Sequence, residues 1–336
     1  MIKMKSNPTT LLISSNDQKS ILSRNLPEAI GIIEAAFEKK ISGEILLPDK
    51  ISVIFDEETQ NRINCMPGAL LKDKVYGVKW VAVFPENPKE GYRNVTGTMI
   101  LSELTHGHTL SVMDAGYLTE IRTASIGATA AKYLAREDAK TIGFIGAGQQ
   151  ARRHLDMVKI VRPEIKTCYV SSLADGSTER FIEEEKLLHP DMEFIDCQDN
   201  YEKAVIDADI VVTAISGQEP ILKAKWIKKG AFYIHVAGWE DEYAVPKLAS
   251  KIVCDDWECI KHRTQTISRM YKEGVLTDDE IYSDLDEIVT GRRLGRENDE
   301  EFIYFCSVGL AFVDVSFAKY IYDKCIEQRK GTKFQF

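Results

Sequence analysis

Thr141-Ile142-Gly143-Phe144-Ile145-Gly146-Ala147-Gly148-Gln149-Gln150-Ala151 is the stretch that decides the fold of this chain. An apolar run ends in Gly-x-Gly-x-x-Ala, and a helical pattern over 149–161 follows at once. Gly146 permits a tight turn, Gly148 lets the backbone approach a pyrophosphate, and Ala151 keeps the helix close against the strand. The start of that helix offers unpaired N–H groups and a partial positive charge to phosphates. A glycine trio alone also fits a purely structural turn. Its setting, with a strand before and a helix after, points to a bound dinucleotide.

Downstream the rhythm is strand and helix in alternation: 167–171 then 177–188, 193–196 then 201–208, and apolar runs at 210–215, 231–236 and 251–254. Such alternation predicts a parallel sheet covered by helices, so this part is α/β, a Rossmann doubly wound sheet. The tail from Trp257 reads as helical and acidic, interrupted at 302–306 and closed by a helix over 309–322. Upstream the pattern differs. An amphipathic helix begins at Leu26 with Pro27 in its first turn, and runs at 51–55, 76–84, 98–101 and 110–113 suggest a mostly antiparallel sheet. A helix rich in small residues over 115–135 connects the two parts.

At 336 residues the chain exceeds the usual reach of one core, so two domains are expected. The net charge of −9 and the lack of a Lys/Arg stripe beyond short patches such as 225–229 argue against a nucleic-acid surface and for a small-molecule partner. Residues 1–16 carry no signal-peptide pattern and no later run reaches membrane-spanning length, so a cytoplasmic protein without a membrane partner is expected. Seven cysteines without a CxxC pair read as reduced.

The segments Val78-Lys79-Trp80, Ile121-Arg122-Thr123-Ala124, Gly146-Ala147-Gly148 and Ser307-Val308-Gly309-Leu310-Ala311 resemble the ornithine cyclodeaminase and μ-crystallin family, over about Leu26 to Tyr322. Asp255-Asp256-Trp257 and Gly295-Arg296-Glu297-Asn298-Asp299-Glu300-Glu301 look most like its diaminopropionate-pathway branch, the siderophore-precursor dehydrogenases. The resemblance implies a topology. An α+β substrate-binding and dimerisation domain is formed by 1–121 and 309–336, the Rossmann domain 122–308 is inserted into it, and the molecule is a homodimer.

The resemblance also implies roles. Lys79, in an apolar run where strand alternation by itself gives an exposed lysine, becomes a ligand of a substrate carboxylate or carbonyl and a proton donor. Arg122 has the planar fork suited to a carboxylate and contacts substrate or cofactor. Thr96, on a strand expected to face the substrate groove, is a third substrate contact. The expected cofactor set is Arg122, Thr123, Gly146, Ala147, Gly148, Gln149, Gln150, Ser172, Thr213 and Ser307. Ser172 stands where an acidic residue would hold the ribose hydroxyls of NAD, which favours NADP over NAD, although Asp175 lies near enough to replace the carboxylate.

One departure matters. Cyclodeaminases carry a catalytic aspartate in the turn after the strand written here as Tyr233-Ile234-His235-Val236, and an ungapped count puts Trp239 there. Glu240 is the nearest replacement carboxylate, and the other reading of 240–242 is a solvated acidic loop. A second carboxylate is missing ahead of Met66-Pro67, where Asn64 stands. These losses favour hydride transfer to the C–N bond of a small carboxylated amine, imine or 2-oxo acid adduct over cyclisation with recycled NAD. A dinucleotide-dependent binding protein of the μ-crystallin kind is the remaining alternative. His106 and His108 read as a surface turn, and no metal is expected.

Overall fold

The computed structural model describes residues 8–335 apart from 24, 57, 58 and 216; the first seven residues, part of the N-terminal segment read above, lie outside it. The chain runs β1 (Thr10–Ile13), α1 (Ser15–Leu22), α2 (Leu26–Ile41), β2 (Ile45–Leu46), β3 (Ile51–Ile54), β4 (Arg62–Leu70), β5 (Val75–Val83), β6 (Val95–Glu103), β7 (Thr109–Asp114) and α3 (Gly116–Leu134). It continues through β8 (Thr141–Ile145), α4 (Gln149–Val161), β9 (Thr167–Ser171), α5 (Ser177–Leu188), β10 (Glu193–Asp196), α6 (Tyr201–Val205), β11 (Ile210–Thr213), β12 (Phe232–His235), α7 (Ala244–Leu248), β13 (Lys251–Cys254), α8 (Trp257–Ile260), α9 (Thr266–Lys272), β14 (Ser283–Asp284), α10 (Leu285–Val289) and β15 (Ile303–Cys306). It ends with α11 (Ala311–Gln328) and β16 (Thr332–Phe334). Two compact units result: a first unit of 1–122 with 310–336, and a second of 123–309.

The first unit is a sheet in the order β16-β1-β7-β6-β5-β4-β2, with β3 also on β4. Its strands are antiparallel except where β1 lies parallel to β7. The longest added strand, β4, was hidden in the sequence by Pro67 and Gly68. Pro67 is tolerated because β3 pairs with 62–65 and β2 with 69–70, so on that edge the missing N–H falls in the gap between them. Gly68 and Gly77 let α11 lie against the inner face; a Cβ on Gly68 would stand 3.1 Å from the Ala311 carbonyl carbon. Phe37 of α2 meets Phe312 of α11 edge to face at 5.9 Å and closes the core.

The second unit is an all-parallel sheet in the order β10-β9-β8-β11-β12-β15-β13-β14. Its central strands are buried along their whole length, which is why they read as continuous apolar runs. β15 slots between β12 and β13, so a strand late in the chain completes the middle of the sheet. The order reverses between β8 and β11, and ligands of such sheets bind outside the carboxyl ends at that switch. Among the described residues no helix is long and apolar enough to cross a membrane.

Gly143 tests how tightly the second unit is packed, because a Cβ there would lie 1.9 Å from the Ala204 carbonyl oxygen of α6, a backbone atom that has no rotamer to yield. We expect Gly143→Ala to cost about 2–3 kcal/mol and to lower the Tm by roughly 5–10 °C in calorimetry. An unchanged Tm would show that β8 and α6 do not approach this closely.

Candidate active site

In the second unit the turn after β8 has the shape its sequence requires. Gly146 has φ +105°, a conformation that favours glycine, and a Cβ there would meet the Ala214 carbonyl oxygen at 2.6 Å. Its N–H donates to the Ser171 carbonyl at 2.8 Å, tying β8 to β9. A Cβ on Gly148 would meet nothing within 4 Å, so this side of the turn is open to a ligand. Gly148 caps α4 without a side chain, leaving its first-turn N–H groups free of any side-chain cap. Behind the turn, Arg152 donates to the Ala147 carbonyl and pairs with Glu184 of α5 at 2.9 Å, which fixes the turn from below. The open backbone and uncapped helix fit a pyrophosphate. Gln149 is exposed and Gln150 half-buried on the first turn, and Thr123 is half-buried on α3.

At the end of β9, Ser172 is half-buried and its Oγ accepts from the Ala174 N–H at 3.3 Å, while Asp175 is exposed. Two residues of the expected cofactor set turn their hydroxyl protons inward. Thr213 is fully buried and its Oγ1 donates inward to Glu240 Oε2 at 2.7 Å. Ser307 donates inward to Asp255 Oδ2 at 2.8 Å. Both hydroxyl protons are thus spent on buried carboxylates.

Glu240 is also turned inward. Its Oε1 accepts from the Ile215 N–H at 2.9 Å and its Oε2 from the Ala237 N–H at 3.3 Å, besides Thr213. It therefore ties the loop after β11 to the loop after β12, and burial pushes its pKa up to about 7. Beside it Asp241, pushed by burial to about 8, accepts from Thr266 Oγ1 at 2.8 Å. His235 is buried as well; burial lowers its pKa to about 4, so the ring is neutral, with Nε2 facing the Gly238 carbonyl at 2.6 Å and Nδ1 facing the Tyr304 hydroxyl at 2.8 Å. The acidic turn is thus a buried latch rather than the solvated loop of the alternative reading. Asp255 performs a similar task, accepting from the N–H groups of Val308 at 3.0 Å and Gly309 at 2.9 Å, and burial raises it to about 6.

In the first unit β5 brings Lys79 onto the inner face, contrary to the exposed position that alternation alone suggested, because Val75, Gly77, Lys79 and Val81 all point toward α11. Lys79 Nζ donates to Asp314 Oδ1 at 2.8 Å. Arg122 Nε stands 2.9 Å from the same oxygen, but its N–H is not aimed at it, so this contact is an ion pair without a hydrogen bond. Asp314 Oδ2 is buried and accepts no hydrogen bond among the described residues. Burial first, then the Arg122 charge, pushes Lys79 down to about 8, with Asp314 opposing the fall. Two cations against one carboxylate leave a dry site short of one negative charge, a place suited to a ligand carboxylate.

Thr96 is corrected: it pairs with Ala82 and lies on the exposed outer face of the sheet, opposite to Lys79. Asp314 was missed by the sequence reading. Its signal was present, a single acidic residue within Ala311-Phe312-Val313-Asp314-Val315-Ser316-Phe317-Ala318, where every neighbour asks for burial. His106 and His108 stack at the exposed turn after β6, and Glu103 accepts their backbone N–H groups.

The family model for the ornithine cyclodeaminase/mu-crystallin family matches residues 14–329. Delta(1)-pyrroline-2-carboxylate reductase of Bacillus cereus is 32% identical over 97% of this chain and 100% of its own. The structure of the Thermococcus litoralis Delta(1)-pyrroline-2-carboxylate reductase with NADH and L-proline is 32% identical, with TM-score 0.90 over 96% of this chain and 99% of that one. An archaeal alanine dehydrogenase dimer with bound NAD is 30% identical, with TM-score 0.87 over 98% and 100%.

Removing Asp314 would leave two buried cations facing each other. We expect Asp314→Ala to lower stability by about 3–5 kcal/mol in urea unfolding. A change below about 1 kcal/mol would mean that the pair is hydrated and contributes little.

Proposed function

Because the chain belongs to the ornithine cyclodeaminase/mu-crystallin family, we propose that it is a nicotinamide-dependent oxidoreductase that reduces the C=N bond of a small carboxylated imine, or runs the reverse on the amine. The observation that carries this reading is the Lys79, Arg122 and Asp314 cluster, with its excess positive charge and a carboxylate oxygen that accepts no hydrogen bond among the described residues. Arg122 and Lys79 hold the substrate carboxylate. Lys79, with its pKa near 8, is the proton source for the imine nitrogen, since both oxygens of Glu240 are already engaged. A reduced nicotinamide, when bound, supplies the hydride for the imine carbon. Gly146, Ala147, Gly148 and the first turn of α4 hold its pyrophosphate. Cyclodeamination loses support, because it needs a free carboxylate after β12 and Glu240 is a latch.

The cofactor site takes NADPH as well as NADH. Ser172 carries no charge to repel a 2′-phosphate, and Asp175 is exposed rather than folded back toward it. All seven cysteines are free, which supports a reducing cytoplasm.

The test is loss of absorbance of the reduced cofactor with cyclic imines, or with 2-oxo acids plus ammonium. Lys79→Ala should lower kcat/KM by about 10²–10⁴-fold, and Arg122→Ala by about 10²-fold mainly through KM. The sign of the pH dependence follows from a lysine held below its ordinary 10.5: its charge is present below pH 8 and lost as pH rises through about 8, so reductive kcat/KM should fall there. Ammonia release from ornithine without net cofactor change would overturn the redox reading. Tight dinucleotide binding with no turnover would favour the binding protein.

The outer face of the first sheet carries Ile51, Val53, Tyr76, Trp80 and Ile100 on neighbouring strands, each more than a third exposed. A patch of this kind asks for a cover, and we assign it to a second copy of the chain. Trp80→Glu combined with Ile51→Glu should convert a dimer to a monomer in sedimentation velocity. A wild-type monomer would sink this assignment.

A further inference from the structure

Helices α4 and α5 of the second unit are joined by Arg152 and Glu184 at 2.9 Å. One turn further along, Asp156 of α4 meets Glu185 and His189 at the end of α5. Glu185 and His189 are four residues apart, so the last turn of the helix puts both side chains on one face. His189 Nε2 stands 3.0 Å from Asp156 Oδ1 and 3.7 Å from Glu185 Oε2, and one atom from each residue lies within 4.8 Å of the other two. The group is mostly shielded from water: the side chains are 9% exposed at Asp156, 2% at Glu185 and 14% at His189.

Arginines take the other carboxylate oxygens. Arg153 Nη1 donates to Asp156 Oδ2 at 2.9 Å, and Arg152 Nε lies 3.8 Å from Glu185 Oε1. Asp156 Oδ1 and Glu185 Oε2 are thereby left facing the imidazole. Glu185 Oε2 is buried and accepts no hydrogen bond among the described residues. A ring nitrogen carries at most one proton, and Nε2 is within hydrogen-bond distance of Asp156 Oδ1 alone, so protonating the histidine does not satisfy Glu185. A carboxylate oxygen in that position has lost its hydration without a replacement. Three carboxylates, those of Asp156, Glu184 and Glu185, also face only two guanidiniums, those of Arg152 and Arg153.

A bound cation answers both the unsatisfied oxygen and the excess negative charge. Tetrahedral ligands at about 2.0–2.1 Å from a metal lie about 3.3–3.4 Å from one another. The separations of 3.0 and 3.7 Å from Nε2 straddle that value. One imidazole with two carboxylates is a donor set for a cation of the zinc type, whereas magnesium and calcium ask for oxygen throughout. The two arginines then act as outer-shell groups that fix which oxygen each carboxylate presents.

We propose that Asp156, Glu185 and His189 form a site for a zinc-type divalent cation, which clamps α4 to the end of α5. Arg152, which donates to the Ala147 carbonyl behind the phosphate turn, pairs with Glu184 beside this site, so the ion stiffens the support of that turn. The site lies wholly within the second unit and does not depend on the redox reading. Glu103, His106 and His108 form another such group, but both histidines are exposed and none of the three is a buried ligand left without a partner.

The test uses the full chain, stripped with EDTA and carrying His106→Ala and His108→Ala so that the exposed turn contributes nothing, titrated with ZnCl2 in calorimetry. One equivalent per chain should bind with a Kd of about 10 μM or tighter. Losing an outer-shell partner already weakens a metal site by about 10–100-fold, so His189→Ala and Glu185→Gln should each cost at least that. Glu185→Gln keeps the shape of the side chain, and its Tm without metal reports that it has folded. Co(II) in place of zinc should give visible ligand-field bands without the near-ultraviolet band of a thiolate ligand. Saturating ZnCl2 should raise the Tm of the parent protein and leave that of Glu185→Gln where it was. A Kd weaker than about 10 μM, or an affinity that neither variant changes, overturns the proposal. A thiolate band overturns it by assigning the metal to cysteines, and an unmoved Tm at saturation overturns the clamp.

Discussion

Two cations can share a dry interior with a single carboxylate only when that carboxylate is held between them, and Asp314 is held in that way. Lys79 comes from β5, Arg122 from α3 and Asp314 from α11, so one oxygen gathers three elements of the first unit. The cost of desolvating these charges is offset in part by their attraction and in part left open, since the second Asp314 oxygen accepts no hydrogen bond among the described residues. A cluster tuned only for stability would balance its charges. This one keeps one positive charge in excess, and the depressed Lys79 pKa follows from burial first and from the neighbouring Arg122 charge second.

The second unit solves a different problem with the same means. Its loops at the carboxyl edge must stay open to a dinucleotide yet keep their shape, and buried carboxylates do the holding. Glu240 gathers donors from the loops after β11 and β12, and Asp255 gathers those of 307–309. Several polar residues that look like ligand contacts in the sequence are thereby spent inside the protein. Polar groups that remain unspent, as at Glu185 Oε2, stand out against this background.

Much of the fold was legible because its signals are local. The Gly146 turn, the continuous apolar runs of the parallel sheet and the amphipathic helix from Leu26 each follow from spacing within a few residues. β4 was not, because Pro67 argues against a strand until the gap between β2 and β3 is known. Lys79 was singled out through a resemblance, while periodicity alone put it on the wrong face; Thr96 was put on the wrong face too, since alternation fixes only that neighbours point oppositely, not which side is the core.

By itself, then, the sequence determined the dinucleotide turn, the α/β class and the residue types from which a carboxylate site could be built, since these depend on backbone sterics and short-range periodicity. The tertiary structure decided which of those residues meet. Asp314 lies 235 positions from Lys79, β15 enters the middle of a sheet begun far earlier, and the direction in which Thr213, Ser307 and Glu240 spend their polar atoms depends on partners from distant strands. Burial and pairing are properties of the packed chain, and a one-dimensional pattern of residue types carries no record of them.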